Sequence, residues 1–208
     1  MGYVIAFVQQ KGSSGKTTVL SHLAHSWAHH GKSVELIDLD PKQSLAHWAV
    51  QNREVDLNFK SSKPWHAATD IRESRVAHDI TLIDCPSNPG ALLHTVVREA
   101  DLIISPCSPS EYGIWGIHIV MQTCREEGKI CRVVMNSAGN HTGDDKSKTE
   151  KMLIEKGADV LESHLSNRAE FAAGFLADYA LPTHKAKTTA YAEIENLRME
   201  IDALLADS

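Results

Sequence analysis

The sequence predicts an α/β protein built on a doubly wound, mostly parallel sheet with helices on both faces. Three observations carry this. Short apolar runs rich in Ile and Val recur at 3–8, 34–39, 80–84, 102–106 and 130–136, with a weaker one at 158–165. Near-continuous apolarity of this kind suits strands covered on both sides. Helical periodicity fills the stretches between and after them, at 16–30, 42–51, 66–78, 90–98, 113–127, 147–156, 167–179 and 188–206. Strand–helix alternation is the pattern of a layered parallel sheet. The connections SSKP (61–64), PSNPG (86–90), NSAGNHTGDD (136–145) and LPTHK (181–185) are too short to link domains, so residues 1–208 are expected to form one domain.

Composition narrows the class. A hydrophobic content of 42% with 23% charged residues is that of a globular chain, and no apolar run reaches the ~18–20 residues of a membrane span. The start, MGYVIAFVQQ, has no basic n-region and no small-residue cleavage site, and Ala6 stands where a myristoylation signal needs Ser or Thr. Cys85, Cys107, Cys124 and Cys131 form no CxxC pair and read as reduced thiols, so a cytoplasmic protein is expected. The net charge of −6 disfavours a dedicated nucleic-acid binder and leaves room for a local basic patch only.

The first strand, YVIAFV, runs into QQKGSSGKTT (9–18), which opens a helix. Glycine lets backbone approach a phosphate, and successive amides at a helix N-terminus hold negative charge. In Gly15-Lys16-Thr17, Lys16 suits the β- and γ-phosphates of a nucleotide and the Thr17 hydroxyl suits Mg²⁺. The helix that follows places Leu20, Leu23, Ala24 and Trp27 on one face, expected to pack on the sheet. His22, His25 and His29 fall opposite and are expected on a solvated face.

The second strand ends in LIDLDPKQS (36–44), where Asp38 and Asp40 share one side of the strand end. Two carboxylates beside a phosphate loop suit magnesium and water positioning. The third, TLIDCPSNPG (81–90), is an apolar strand ending in Asp84 before a Pro/Gly turn, the shape of a Walker B strand whose acid reaches Mg²⁺ through water. A later strand leads into SPCSPSEYGIWG (105–116), and VVMNSAG (133–139) ends the next with Asn136.

A general phosphate loop has glycine at position 10, where this chain has Gln10, and it carries an additional lysine, Lys11. In this the sequence resembles the deviant Walker A ATPases of the ParA/MinD group, whose loop reads KGGxGKT. Here the loop reads Lys11-Gly12-Ser13-Ser14-Gly15-Lys16-Thr17, followed by Thr18, with Ser13 at a position where the group has glycine. Serine accepts a positive φ poorly, so a tighter or shifted loop is expected there. The resemblance implies a P-loop NTPase fold, ATP and Mg²⁺ as cofactors, and a face-to-face homodimer sandwiching two ATP molecules. Lys11 would then reach the partner's phosphates, Asp40 would orient the attacking water, Asp38 and Asp84 would support the magnesium, and Asn136 would contact adenine. Lys42 replaces the Gln of the group's DxDPQ motif and receives no role.

The resemblance spans residues 3–206 and is strongest up to Ser110. Length, with no N-terminal helix-turn-helix, points to the small ParA type, like ParF. MinD-type membrane attachment needs a basic amphipathic C-terminal helix, whereas residues 190–208 carry Glu193, Glu195, Glu200, Asp202 and Asp207 against Arg198. The expected activity is therefore ATP-dependent DNA segregation or cargo positioning. It would use nonspecific DNA bound by the ATP dimer and hydrolysis stimulated by a ParB-like protein or cargo adaptor. Candidate DNA-contacting cations are Arg168, Lys185 and Lys187. The alternative reading is a small-molecule P-loop kinase or ligase of the dethiobiotin synthetase type.

Overall fold

The computed structural model describes residues 1–51, 57–136, 143–171 and 188–207. In chain order these hold β1 (Tyr3–Phe7), α1 (Lys16–His29), β2 (Val34–Asp38), α2 (Ser44–Gln51), β3 (Leu57–Ser61), α3 (Ala67–Ala77) and β4 (Ile80–Asp84). There follow α4 (Leu92–Glu99), β5 (Leu102–Cys107), α5 (Glu111–Glu126), β6 (Ile130–Asn136), α6 (Gly143–Glu155), β7 (Val160–Leu165) and the closing helix Thr189–Ala206, here α7. The seven strands form one sheet in the order β3-β2-β4-β1-β5-β6-β7, and every neighbouring pair is parallel.

The strand period of two sorts the apolar runs onto two faces. Ile5 and Phe7 of β1, Leu36 of β2, Leu82 of β4 and Ile104 of β5 pack with α1 and α7. Val4, Ala6, Ile37, Ile83 and Ile103 pack on the other side with α3, α4 and α5. A third apolar cluster joins α5 and α6 to β5 and β6 through Ile114, Ile117, Met121, Leu153, Cys107, Val133 and Met135. The doubly wound architecture expected from the alternating runs is thus present.

The sequence reading missed one strand and misplaced one face. β3 is an edge strand whose residues LNFKS are half-buried or exposed, so it lacks the apolar run that marked the others. On α1 the predicted core face is buried, but so are His22 and His25, at 0% and 2% exposure; His29 is the exposed member of the three. The solvated-face expectation fails for the first two because other elements cover that side of α1. His22 lies against Phe171, its Nε2 3.3 Å from the Phe171 carbonyl oxygen, and His25 meets Trp48 of α2 edge-on. Burial pushes both imidazoles down to a pKa of about 4, so they are neutral core side chains. α7 docks on α1 through polar contacts as well: Trp27 Nε1 donates to Asp202 at 2.8 Å, and Ser26 donates to Glu195. None of the helices among the described residues is long and apolar enough to cross a membrane.

Candidate nucleotide-binding site

Parallel register brings the chemistry to one edge. Phe7, the last residue of β1, lies beside Asp84 of β4, which lies beside Asp38 of β2. The loop leaving β1 therefore rises over two strand-terminal carboxylates at the C-terminal edge of the sheet, the edge at which open α/β sheets bind ligands.

The loop itself is built for an anion. Gly15 precedes α1 at φ 86, and no side chain caps the helix, whose first turn also lacks an acid. The amides of Lys16, Thr17 and Thr18 are thus available to a phosphate and lie at the positive end of the helix dipole. Ser13 adopts φ 61, so this position does require the left-handed conformation that glycine would take without strain. Ser14 is buried with its hydroxyl unpartnered among the described residues. Gly12 faces the loop after β4, with Ser87 Oγ 3.9 Å from where a Cβ would stand.

Lys16 is 7% exposed and curls back under the loop, donating to the Gln9 carbonyl at 3.4 Å and to Ser87 Oγ at 3.2 Å. Thr17 Oγ1 donates to Asp84 Oδ2 at 2.6 Å, while Asp84 Oδ1 is buried without a hydrogen-bond partner among the described residues. Burial raises the Asp84 carboxyl to a pKa of about 7, against the pull of the Thr17 hydrogen bond and the Lys16 charge. An orphaned buried carboxylate oxygen next to a threonine hydroxyl fits a hard, oxygen-loving cation. No cluster of three or more His, Cys, Asp or Glu that could form a protein cage occurs among the described residues.

Asp38 and Asp40 organise the loop after β2. Asp38, 1% exposed, accepts from Asp40 N at 2.9 Å on one oxygen and from Ala46 N at 3.1 Å on the other. It braces the loop and the first turn of α2, and burial nonetheless pushes its carboxyl up. Asp40 is half-buried and accepts from Lys42 N at 2.9 Å, an Asx turn. Its second oxygen makes no hydrogen bond among the described residues and can orient water. Asn136, 3% exposed at the end of β6, donates its amide to the Ser14 carbonyl at 3.0 Å. It supports the loop from beneath: a Cβ on Gly15 would stand 1.9 Å from Asn136 Nδ2.

The matching family profile, CobQ/CobB/MinD/ParA nucleotide binding domain, covers residues 5–176. The chain belongs to this family. Within it, the ParA protein of Rhizobium radiobacter is 26% identical over 93% of this chain and 91% of its own length. Soj of Bacillus subtilis, a sporulation initiation inhibitor protein, is 24% identical over 60% of this chain and 66% of its own. Among solved structures, MinD of Pyrococcus furiosus superposes with a TM-score of 0.78 at 17% identity, over 98% of this chain and all of that one. Apo McdA of Cyanothece gives 0.79 at 11% identity, over 97% of this chain and all of that one. These likenesses establish the ParA/MinD type of P-loop fold for the chain.

The remaining predicted residues lie apart from the phosphate loop's floor. Lys11 Nζ reaches away from the loop to Ser108 Oγ at 3.2 Å and Ser110 Oγ at 2.9 Å. Arg168 is ion-paired with Glu193 of α7 at 3.1 Å, so its charge is partly neutralised. Lys185 and Lys187 lie outside the described residues. Sequence reasoning also missed Gln9, which is fully buried and donates to the carbonyls of Pro106 at 3.2 Å and Gly113 at 3.3 Å. Its signal was the pair of glycines three apart in GIWG. A Cβ on Gly116 would stand 2.1 Å from Gln9 Oε1, and one on Gly113 2.7 Å from the Ser108 carbonyl oxygen.

Proposed function

We propose that the chain, as one P-loop ATPase domain over residues 1–208, is an ATP-dependent dimerising switch for DNA segregation or cargo positioning. The observation that carries this is the division between the two lysines of one loop. Lys16 is tucked into the phosphate site, whereas Lys11 stands outside it at the rim, attached to a different segment. A cation outside its own phosphate site is of use to a phosphate that arrives from elsewhere. Delivered to a partner's nucleotide, it would act as an arginine finger does, placing positive charge where negative charge develops.

In this reading the amides at the start of α1 and Lys16 hold the triphosphate. Thr17 and Asp84, with Asp38 behind them, would hold magnesium, which would supply positive charge against the phosphates. Asp40 orients the attacking water, and Asn136, at the loop, lies beside the base. The ATP-bound homodimer binds nonspecific DNA in the cytoplasm, on the nucleoid, through cations that include Arg168, Lys185 and Lys187. A ParB-like protein or cargo adaptor stimulates hydrolysis and releases it. Relatives support the reading: Soj of Treponema pallidum is a chromosome-partitioning ATPase, and ParA of Myxococcus xanthus a chromosome partitioning protein.

The test is a co-sedimentation series with Mg²⁺ and ATP or ADP, with and without random-sequence duplex DNA across a salt range. The expected result is an ATP-only dimer whose DNA binding weakens steeply with salt, is lost in Lys11→Ala and persists in a stalled Asp40→Ala. A monomer in ATP, with turnover triggered only by a metabolite, would replace the reading with a small-molecule kinase or ligase.

A further inference from the structure

The position of Lys11 is built, not incidental. Gln9 wedges between β1 and the start of α5, holding Pro106 and Gly113 through its amide nitrogen and the Lys11 amide through its oxygen at 3.3 Å. Gly116 leaves the helix face open for this approach, and Gly113 makes room for the Ser108 carbonyl. The wedge fixes the segment carrying Ser108 and Ser110 relative to the base of the phosphate loop. Ser110 Oγ also accepts from Gly113 N at 3.2 Å as the N-cap of α5. A hydroxyl oxygen has two lone pairs, so the same atom caps the helix and receives the lysine.

What holds the lysine matters as much as where. Both acceptors are neutral, and Lys11 makes no ion pair among the described residues. Hydroxyls orient an ammonium without neutralising it, and a phosphate oxygen is the stronger partner because the hydrogen bond is charge-assisted on both sides. A carboxylate in the same place would hold the lysine against that competition.

We propose that Ser108 and Ser110 form a dock in cis for Lys11, a resting place the lysine must leave before it can engage a partner's nucleotide. The inference rests on the reading that Lys11 acts across the dimer. The serines are positioning residues, and the dock sets the nucleotide concentration at which dimers form. Loosening it favours the dimer, since the lysine leaves a weaker holder for the same phosphate.

Ser108 is the residue to change, since Ser110 also caps α5. Sedimentation velocity at fixed protein concentration, titrating a non-hydrolysable ATP analogue with Mg²⁺, gives the midpoint of dimerisation. Ser108→Ala is expected to lower that midpoint about fivefold, the worth of one ordinary hydrogen bond. Ser108→Thr, which keeps the hydroxyl, returns it to the wild-type value. ADP affinity, measured by calorimetry, stays the same in all three proteins, a readout that general damage to the loop would move. An unchanged or raised midpoint in Ser108→Ala overturns the dock. Lys11→Ala separates the two ideas: if it dimerises as the wild type does, the trans-acting reading fails by itself. If Lys11→Ala blocks dimerisation but Ser108→Ala leaves the midpoint where it is in the wild type, the dock fails while the reading stands.

Discussion

The floor and the rim of the phosphate loop are a few residues apart in sequence and are held by different forces. On the floor, Lys16, Asp38 and Asp84 are at most 7% exposed, and the two acids occupy adjacent positions of parallel strands. Their places follow from sheet register, which cannot slip without turning apolar side chains outward. On the rim, Lys11 and Asp40 are half-buried and Ser13 is exposed; the Lys11 ammonium is held by two hydroxyls and Asp40 accepts from one backbone amide. The floor is suited to hold a nucleotide in one geometry. The rim is held by fewer and more accessible contacts and is the easier of the two to rearrange.

The contrast would be broken most forcefully from the floor. Gly15→Ala forces a Cβ onto Asn136 Nδ2 at a backbone φ of 86. The expected loss is about 3 kcal/mol of stability and more than 100-fold in nucleotide affinity, read by denaturant unfolding and calorimetry. A rim-sized effect instead would show that the floor is not rigid.

Asp84→Asn should separate holding from folding. The carboxyl's pKa rises from 3.8 to about 7 in the folded protein, so between those values the folded state is protonated where the unfolded state is ionised. The unfolded chain then binds fewer protons, and stability falls as pH climbs from about 4 to 7. Removing the charge is expected to raise metal-free stability at pH 8 by about 2 kcal/mol while weakening magnesium–nucleotide binding at least 10-fold. Unfolding curves at pH 4 and pH 8, with nucleotide titrations at pH 8, check both signs.

The packing of α1 against α2 has the opposite pH signature. His25 has neither ring nitrogen partnered among the described residues, and its pKa is lowered to about 4 by burial. The unfolded chain binds the extra proton below 6.5, so this group removes stability as pH falls from about 6.5 to 4. His25→Phe, keeping an aromatic ring against Trp48, is expected to flatten that slope by about 2 kcal/mol across the window. Chemical denaturation at pH 4.5 and 7 measures it.

The smallest expected effect is at the rim. Ser13→Gly relieves a left-handed serine and should add about 0.5 kcal/mol, or a degree or two in Tm. A destabilised variant would mean that the serine side chain supports the loop.

The sequence by itself determined the parts of this protein that depend on neighbours along the chain. Five of seven strands were visible because burial on both faces writes itself as an apolar run, and the edge strand β7 showed more weakly because its surface is only half-buried. The phosphate loop was visible because a strand, a glycine-rich turn and a helix start must follow one another directly, as residues 3–29 do. The acids Asp38 and Asp84 were found for the same reason, each closing such a run. Tertiary structure decided whatever depended on what lies against an element. β3 escaped notice because an edge strand keeps polar residues on its surface. His22 and His25 read as a solvated stripe because periodicity reports one helix's own faces, and only Phe171 and α2 arriving from elsewhere close the second face. Arg168 read as a free cation until α7 set Glu193 against it. Lys11 could be named from the loop, but its holders are 97 and 99 residues away, brought near by β1 and β5 pairing side by side. Local chemistry is encoded in spacing; burial and partnership come from packing between segments remote in the chain, which spacing does not record.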